Sequence, residues 1–341
     1  MNTAARSFHV AVVGATGAVG QTMLSSLAER AFPVVKLTVL ATARSAGNTV
    51  EFNGDKVTVQ DLATFDPAGV DIALFSAGGD ISLEYAPKFA AAGAVVIDNS
   101  SAFRYFDDVP LVVSEVNPEA LKNRPRGIIA NPNCSTMQLM PVLAPIHREV
   151  GIERVNVATY QSVSGAGQRG MEELGKQTAQ LLGFQPAETK QFPVQIAFNL
   201  IPHIDAFQDN GYTKEEMKLV WETRKILGDD RIMVNPTAVR VPVFYGHAEA
   251  VHLETRDKIS VERVRELLEA AAGVEVVDQR EAGGYPTPVT HASGNDPVYV
   301  GRLREDISHP RGIALWVVAD NIRKGAALNA VQLAELVAAE G

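Results

Sequence analysis

Cysteine is almost absent from this sequence, because Cys134 is the only one among 341 residues. A single cysteine cannot form an internal disulfide, so nothing suggests an oxidising compartment. The residues before Phe8 are few and polar, unlike a signal peptide, and no apolar run approaches the roughly 18 residues of a membrane-spanning helix. We therefore expect a soluble cytoplasmic protein with no membrane partner.

Positive charge is also scarce. The 31 Lys and Arg residues are outnumbered by 40 Asp and Glu, which gives a net charge of −9. Nucleic acids bind to basic faces, so we do not expect one as a partner. The spacings H-x-x-x-H and C-x-x-C are both missing, and His247 and His252 would lie on opposite faces of a strand. The sequence therefore predicts no metal site.

The first 130 residues alternate between strand-like and helix-like segments. Phe8–Val13 is a continuous apolar run, typical of a strand that is buried on both faces of a parallel sheet. A helical pattern follows as far as Arg30. Further strands are predicted at 34–40, 71–75 and 94–97, and a helix at 83–92. This alternation predicts an α/β fold with a doubly wound parallel sheet, and the length of the chain favours a second domain.

A glycine-rich turn follows the first strand. Residues 14–20 read G-x-x-G-x-x-G between a strand and a helix, the context in which glycines let a pyrophosphate approach a helix N-terminus. The alternative is a tight turn without a ligand. No acidic residue lies between Lys36 and Glu51 to bind a ribose hydroxyl, whereas Arg44 could meet a 2′-phosphate. The pattern therefore favours NADP, unless Arg44 is simply a solvated loop residue.

Cys134 follows the turn residues Asn131, Pro132 and Asn133 and precedes a helical pattern at 135–150. A thiol at a helix N-terminus is favoured as the nucleophilic thiolate. The alternative is a buried cysteine that acts as a small hydrophobe. Pro141 and Pro145 predict a kink or an early stop in this helix.

The second half mixes strands and helices without regular alternation, which predicts an α+β domain. A helix with a capping box is predicted from Thr213, with Glu216 three residues later. Residues 184–213 are predicted to form a long loop region. The other predicted strands are 155–160, 239–244, 248–254 and 313–319, and the other predicted helices are 169–182, 260–272 and 322–339.

Several polar residues of this half could join a thiol. Gln161 follows a strand end, and Arg240 in an apolar strand would be costly to bury without an anion or an internal salt bridge. His247 is a candidate acid–base partner, although the sequence alone does not choose it among seven histidines. His147 is predicted to lie on the surface. Arg104 is either a second anion site or a surface arginine.

Taken together, the motifs resemble bacterial aspartate-semialdehyde dehydrogenases over nearly the whole chain. The matching segments, in order, are GATGAVG, ARSAG, SSAFR, NPNCSTMQL, TYQSVSGAG, EEMK, RVPVFYGH and ADNIRKGAALNA. The resemblance implies a Rossmann-like NADP-binding domain of residues 1–131, completed by 321–341. It implies a catalytic and dimerisation domain of residues 132–320, and a homodimer.

The resemblance also implies a role for each site residue. Cys134 would be the nucleophile beside Asn133, Gln161 would orient the substrate, and His247 would be the acid–base group. Arg240 would bind the substrate α-carboxylate and Glu215 its ammonium group, while Arg104 and Lys218 would bind phosphate. The implied NADP(H) contacts are Gly14, Thr16, Gly17, Ala18 and Val19 for the pyrophosphate, Thr42, Arg44 and Ser45 for the 2′-phosphate, and Gly165 and Asn321 near the nicotinamide.

The implied reaction converts β-aspartyl phosphate to aspartate semialdehyde and phosphate through a cysteine thioester. It would serve the biosynthesis of lysine, threonine, methionine and diaminopimelate. One alternative is another acyl-phosphate reductase, such as N-acetyl-glutamyl-phosphate reductase, although Glu215 suits a substrate with a free ammonium group. A second alternative is a non-catalytic NADP-binding regulator, which would not need convergent Arg104, Arg240, His247 and Glu215.

Overall fold

The computed structural model of the protein describes residues 7–340. The chain divides into two compact units. One contains the residues up to Asn133 together with those from Ala326 onward, and the other is Cys134–Gly325. No helix within 7–340 is long and apolar enough to cross a membrane.

The first unit is built on a six-stranded parallel sheet with the order β5-β2-β1-β6-β7-β8. The strands are β1 (Phe8–Val13), β2 (Val34–Ala41), β5 (Gln60–Asp61), β6 (Ile72–Phe75), β7 (Val95–Asp98) and β8 (Ile128–Ala130), and a separate hairpin consists of β3 (Thr49–Phe52) and β4 (Asp55–Thr58). The helices between them are α1 (Ala18–Glu29) and α2 (Gly79–Ala91). The doubly wound α/β prediction is therefore confirmed.

The second unit carries a six-stranded mixed sheet with the order β10-β9-β11-β14-β13-β12. Its strands are β9 (Ile152–Gln161), β10 (Met233–Arg240), β11 (His247–Thr255), β12 (Val274–Val276), β13 (Val298–Glu305) and β14 (Gly312–Ala319). Its helices are α3 (Cys134–Val150), α4 (Gln168–Leu182), α5 (Lys214–Leu227) and α6 (Val261–Glu269). Helix α3 packs against β9, β11 and β14 of this sheet.

The last helix, α7 (Leu328–Ala339), belongs to the first unit. Its buried residues Val331 and Leu333 join the apolar core formed around β1. The carboxylate of Glu335 forms an ion pair with Arg30 at the end of α1, with 2.7 Å between Nε and Oε1. The C-terminal segment is therefore built into the fold of the N-terminal unit.

The structure differs from three local predictions, and the first is the early stop that was one of the two alternatives for α3. Helix α3 does not stop early at Pro141 or Pro145; it continues for 17 residues, because its largely buried surface stabilises it beyond its local preferences. Strand β10 spans Met233–Arg240 rather than 239–244. It is an edge strand of the sheet, where Pro236 is tolerated, and the chain leaves the sheet after Arg240.

His147 is also not on the surface as predicted. Only 15% of its side chain is exposed, and its Nδ1 accepts a hydrogen bond of 3.0 Å from the backbone N–H of Ile152. The capping box at Thr213 and Glu216 is confirmed, with both hydrogen bonds present. The region 184–213 contains neither an α-helix nor a strand, as predicted.

Candidate active site

Cys134 is the first residue of α3, directly after the turn that follows β8. Its side chain is partly exposed and is not in a disulfide. Gly325 lies close beside it: a Cβ atom added there would be 2.9 Å from the Cβ of Cys134. The thiol therefore lies at a helix N-terminus, and a side chain at residue 325 would crowd it.

A network of polar side chains surrounds the start of α3. The Nε2 of Gln161, the last residue of β9, donates to the hydroxyl of Ser135 at 2.9 Å and to Oε1 of Glu215 at 3.2 Å. Glu215 lies in the first turn of α5 and is buried. Asn133 is also buried. The structure thus brings Gln161 to the residue next to Cys134, and Glu215 to Gln161.

Lys218 lies three residues after Glu215, and its Nζ contacts the carboxylates of Glu215 at 2.8 Å and Asp205 at 2.9 Å. Burial opposes the charged form, but these two carboxylates raise the pKa of Lys218 to about 12. Asp205 has a φ of +68°, a left-handed conformation that is uncommon outside glycine. No role was predicted for Asp205, because its pairing with Lys218 depends on the course of the loop.

Arg240 is the last residue of β10 and is almost fully buried. Its Nη1 donates to the backbone carbonyl of Ser162 at 2.8 Å. Burial lowers the pKa of Arg240 from its usual value, while Glu215 and Cys134 act in the opposite direction. This buried guanidinium is therefore electrostatically linked to both the thiol and the acidic residue of the site.

His247 is the first residue of β11, and it is fully buried. Its Nδ1 is 3.1 Å from the backbone nitrogen of Ser162 and 3.0 Å from the Ser162 hydroxyl. Burial, and then the positive charge of Arg240, lower the pKa of His247 to about 3. Ser162 was missed as a site residue, although the matched motif TYQSVSGAG contains it.

Gly165 and Asn321 support this arrangement from within the same unit. A Cβ atom at Gly165 would lie 2.9 Å from Nη1 of Arg240 and 3.4 Å from Nε2 of His247. The Oδ1 of Asn321 accepts hydrogen bonds of 3.0 Å from the hydroxyl of Ser162 and from the backbone N–H of Gly246. Both residues thus shape the surroundings of His247, and their proposed proximity to a nicotinamide stays a prediction.

The glycine turn of the first unit fits a dinucleotide phosphate. Gly14 has a φ of +88°, and a Cβ there would lie 2.4 Å from the carbonyl oxygen of Ser76. A Cβ at Gly20 would lie 2.2 Å from the oxygen of Gly14, so only glycines permit this close turn. Helix α1 begins after Gly17 with no side-chain cap and no acidic residue in its first turn. The residues at this N-terminus are Thr16, Gly17, Ala18 and Val19.

The candidate 2′-phosphate residues form a turn after β2. The backbone N–H of Ser45 donates to the carbonyl of Thr42 at 2.8 Å, and Arg44 lies between them with its side chain exposed. Arg104, also in the first unit, is buried instead. Its Nε and Nη2 donate to the carbonyls of Asn131 at 2.8 Å and Asn99 at 3.0 Å. Of the two predictions for Arg104, the surface arginine is therefore wrong.

Within residues 7–340 there is no group of three or more His, Cys, Asp or Glu side chains that could hold a metal ion. The polar side chains around Cys134 offer acid, base and anion-binding groups beside the nucleophile. Such a set, with a thiol at a helix N-terminus, suits acyl transfer through a covalent cysteine intermediate.

Comparisons with known proteins agree with this chemistry. A family model described as the NAD binding domain of semialdehyde dehydrogenase matches residues 9–124, and one described as the dimerisation domain matches residues 143–324. The aspartate-semialdehyde dehydrogenase of Shewanella violacea is 60% identical over 333 residues, which cover 97% of this chain and 98% of that protein.

Two solved structures extend the comparison. Aspartate semialdehyde dehydrogenase II of Vibrio cholerae, complexed with ASA, is 61% identical, with a TM-score of 0.96 over 98% of this chain and 99% of that chain. The Candida albicans enzyme with NADP is 25% identical, with a TM-score of 0.75 over 97% and 98% of the two chains. These relatives support the aspartate-semialdehyde interpretation over the two alternatives, and the chain belongs to the aspartate-semialdehyde dehydrogenase family.

Proposed function

We propose that this protein is an NADP-dependent aspartate-semialdehyde dehydrogenase that works through a thioester on Cys134. The observation that carries the proposal is the placement of Cys134 at a helix N-terminus in the same unit as Arg240, Glu215 and His247. The names of the relatives supply the substrate class. The helix N-terminus and the nearby Arg240 guanidinium both favour the thiolate, which is the attacking form.

Each charged group of the substrate has a proposed partner. Arg240 binds the α-carboxylate, Glu215 binds the ammonium group, and Gln161 orients the carbonyl beside Cys134. Lys218 and Arg104 bind the phosphate. Lys218 is already paired with Glu215 and Asp205, but an ammonium group has three donors, so it can add a phosphate oxygen.

The reaction begins when the Cys134 thiolate attacks the acyl carbon of β-aspartyl phosphate. The C–O bond to phosphate then breaks, its electron pair leaves with the phosphate, and a thioester remains. Bound NADPH supplies the hydride that reduces the thioester carbon. The resulting alkoxide collapses, the C–S bond breaks, and aspartate semialdehyde is released with the thiolate restored. A covalent intermediate divides one difficult step into two easier ones.

For the cofactor, the turn around Gly14, Gly17 and the N-terminus of α1 would hold the pyrophosphate. Thr42, Arg44 and Ser45 would hold the 2′-phosphate, because the exposed guanidinium of Arg44 has no acidic neighbour in its turn. We further propose a cytoplasmic homodimer that serves amino-acid biosynthesis. The match of residues 143–324 to a dimerisation domain supports the dimer, and a nucleophilic thiol outside any disulfide suits a reducing compartment.

A single assay tests the function. The purified protein is mixed with aspartate semialdehyde, NADP and phosphate, and NADPH is followed by its absorbance. We expect turnover that requires phosphate and is much weaker with NAD. Turnover with N-acetyl-glutamate semialdehyde but not with aspartate semialdehyde would instead support the other acyl-phosphate reductase, and no turnover with either would support the regulator.

Two arginine variants test the assignment of the anion sites. Arg104→Leu should raise the KM for phosphate and retain a burst of NADPH from aldehyde and NADP in the absence of phosphate. Arg240→Leu should be impaired with the aldehyde under every condition, because the α-carboxylate is present throughout. If Arg104→Leu loses the burst while Arg240→Leu retains it, the two roles are wrongly assigned.

A further inference from the structure

The guanidinium of Arg104 is held by the first residue after each of two neighbouring strands. β7 ends at Asp98 and β8 ends at Ala130, and these two residues are paired in the parallel sheet. Asn99 and Asn131 follow them, and their backbone carbonyls accept hydrogen bonds from Nη2 and Nε of Arg104 at 3.0 Å and 2.8 Å. The direction in which this guanidinium points therefore depends on where two carbonyls lie at the edge of the sheet.

The side chain of Asn131 links the two residues that carry these carbonyls. Its Nδ2 donates to Oδ1 of Asn99 and to the backbone carbonyl of Ala326, the latter at 3.0 Å. Its Oδ1 accepts from Nδ2 of Asn329 at 2.6 Å. An amide nitrogen has two N–H donors, so both donors of Asn131 are used. Asn99, Asn131 and Asn329 thus form an asparagine network within the first unit, and the last two are fully buried.

Backbone groups determine the orientation of both buried amides. The carbonyl of Ala326 can only accept, so it requires the Nδ2 of Asn131. On Asn329, Nδ2 donates to the carbonyl of Val112 and Oδ1 accepts from the N–H of Ser114, each at 3.0 Å. Turning either amide over would place two acceptors or two donors against each other, and buried polar groups left unpaired are unfavourable. The asparagine network therefore has a single arrangement of donors and acceptors.

Asn329 brings the C-terminal helix into this network, because it lies in the first turn of α7. Apolar residues of that helix, Val331 and Leu333 among them, already pack into the core of the first unit. Apolar burial is non-directional, whereas a hydrogen bond fixes the orientation of both partners. What the buried amides add to the docking of α7 is therefore a defined position for Asn131 and, through it, for the carbonyls that hold Arg104.

We infer that Asn131 and Asn329 are positioning residues of the phosphate site, which hold the two carbonyls in the geometry that directs Arg104 at the anion. This inference rests on the proposed function, in which Arg104 binds phosphate. A guanidinium meets a phosphate through a planar fork, so a change in its direction weakens the contact even when the charge stays nearby. The effect should be confined to the steps that involve phosphate.

The kinetics of Asn329→Ala separate this role from a general loss of structure. The KM for phosphate should rise about 3–10-fold, the equivalent of one neutral hydrogen bond. The burst of NADPH from aldehyde and NADP without phosphate should stay within about twofold of the native rate, because no phosphate takes part in it. The amplitude of the burst counts the folded active sites, so partial unfolding does not imitate the expected result. An unchanged KM for phosphate, or equal losses in the burst and in KM, would overturn the inference.

Glu335→Ala is the matched control on the same helix. The carboxylate of Glu335 forms an ion pair with Arg30 at 2.7 Å, so this change also removes a polar contact that docks α7, but one outside the asparagine network. The KM for phosphate should stay native in this variant. An equal rise in Glu335→Ala and Asn329→Ala would show that any loosening of α7 has the same effect, and it would contradict a positioning role for the amides.

A double variant shows whether Asn329 acts through Arg104. Residues that act as one unit are not additive, so Asn329→Ala should add no further rise in KM to Arg104→Leu. A further rise by the full factor of the single variant would refute the link between the two residues. If Arg104→Leu alone leaves the KM for phosphate native, the phosphate assignment of the proposed function fails instead, and crystal structures then decide whether the network positions Arg104.

Crystal structures of two variants test the positioning without any activity. Asn329→Ala and Asn99→Ala each remove one contact of Asn131. The second change is at a half-buried residue that keeps its backbone carbonyl, so it carries less risk to folding. In both variants, the guanidinium of Arg104 should lose at least one of its two carbonyl hydrogen bonds, and a guanidinium that keeps both bonds in both variants would overturn the inference. A displaced guanidinium in a protein that does not turn over aspartate semialdehyde would uphold the positioning and refute the proposed function.

Discussion

The close packing of Gly165 against the site gives the sharpest structural prediction. A Cβ at this position would lie 2.9 Å from Nη1 of Arg240 and 3.4 Å from both Cε1 and Nε2 of His247. The backbone of Gly165 is not in the left-handed region, so alanine is permitted by conformation and only the new contacts matter. In Gly165→Ala, the guanidinium of Arg240 must therefore shift, and we expect this shift to break its 2.8 Å hydrogen bond to the Ser162 carbonyl.

The magnitude follows from that lost bond. A hydrogen bond to a charged group is worth about 1.5–3 kcal/mol, so kcat/KM for aspartate semialdehyde should fall by about 10–100-fold. Gly175→Ala is the matched control, because it lies inside α4 with nothing within 4 Å of the added Cβ. That change should leave activity intact and stabilise the protein by about 0.5–1 kcal/mol. A Gly165→Ala enzyme within twofold of native, in the phosphate-dependent NADPH assay, would refute the reasoning.

The remaining predictions concern the cofactor and a buried acid. Arg44→Ala should weaken NADP binding by about 10–100-fold and leave NAD binding little changed, as measured by fluorescence titration; equal weakening of both would make Arg44 structural. Burial raises the pKa of Glu249 well above its usual value, and the nearby Gln138 amide only partly opposes this. The folded chain therefore keeps a proton that the unfolded chain loses as the pH rises, and this lowers stability at neutral pH. Glu249→Gln should raise the melting temperature more at pH 8 than at pH 5, whereas an equal gain at both would contradict the buried neutral acid.

Local features of the sequence predicted much of the site. The turn before Cys134 and the glycine turn of residues 14–20 depend on neighbouring residues. The structure contains both turns at the predicted positions. The capping box of α5 likewise lies within four consecutive residues. Each of these features depends on backbone preferences that act over a single turn.

Contacts between residues that are far apart in the chain could not be predicted from the sequence. Ser162 and His247 are 85 residues apart and meet because β9 and β11 are neighbours in one sheet. The observed bounds of β10 differ from the predicted 239–244 because Pro236 is disfavoured in a central strand but tolerated in an edge strand. Whether a strand lies at an edge is a property of the whole sheet. The Asp205–Lys218 contact depends on a loop without regular structure, for which hydrophobic periodicity carries no signal.

The central claim is that Cys134 carries a thioester between hydride transfer and phosphate attack. Rapid mixing of the native enzyme with aspartate semialdehyde and NADP, without phosphate, should give a burst of about one NADPH per active site, followed by little turnover until phosphate is added. Cys134→Ala should give no burst while it still binds NADP. A burst of equal size in Cys134→Ala, or steady NADPH production by the native enzyme without phosphate, would contradict the account.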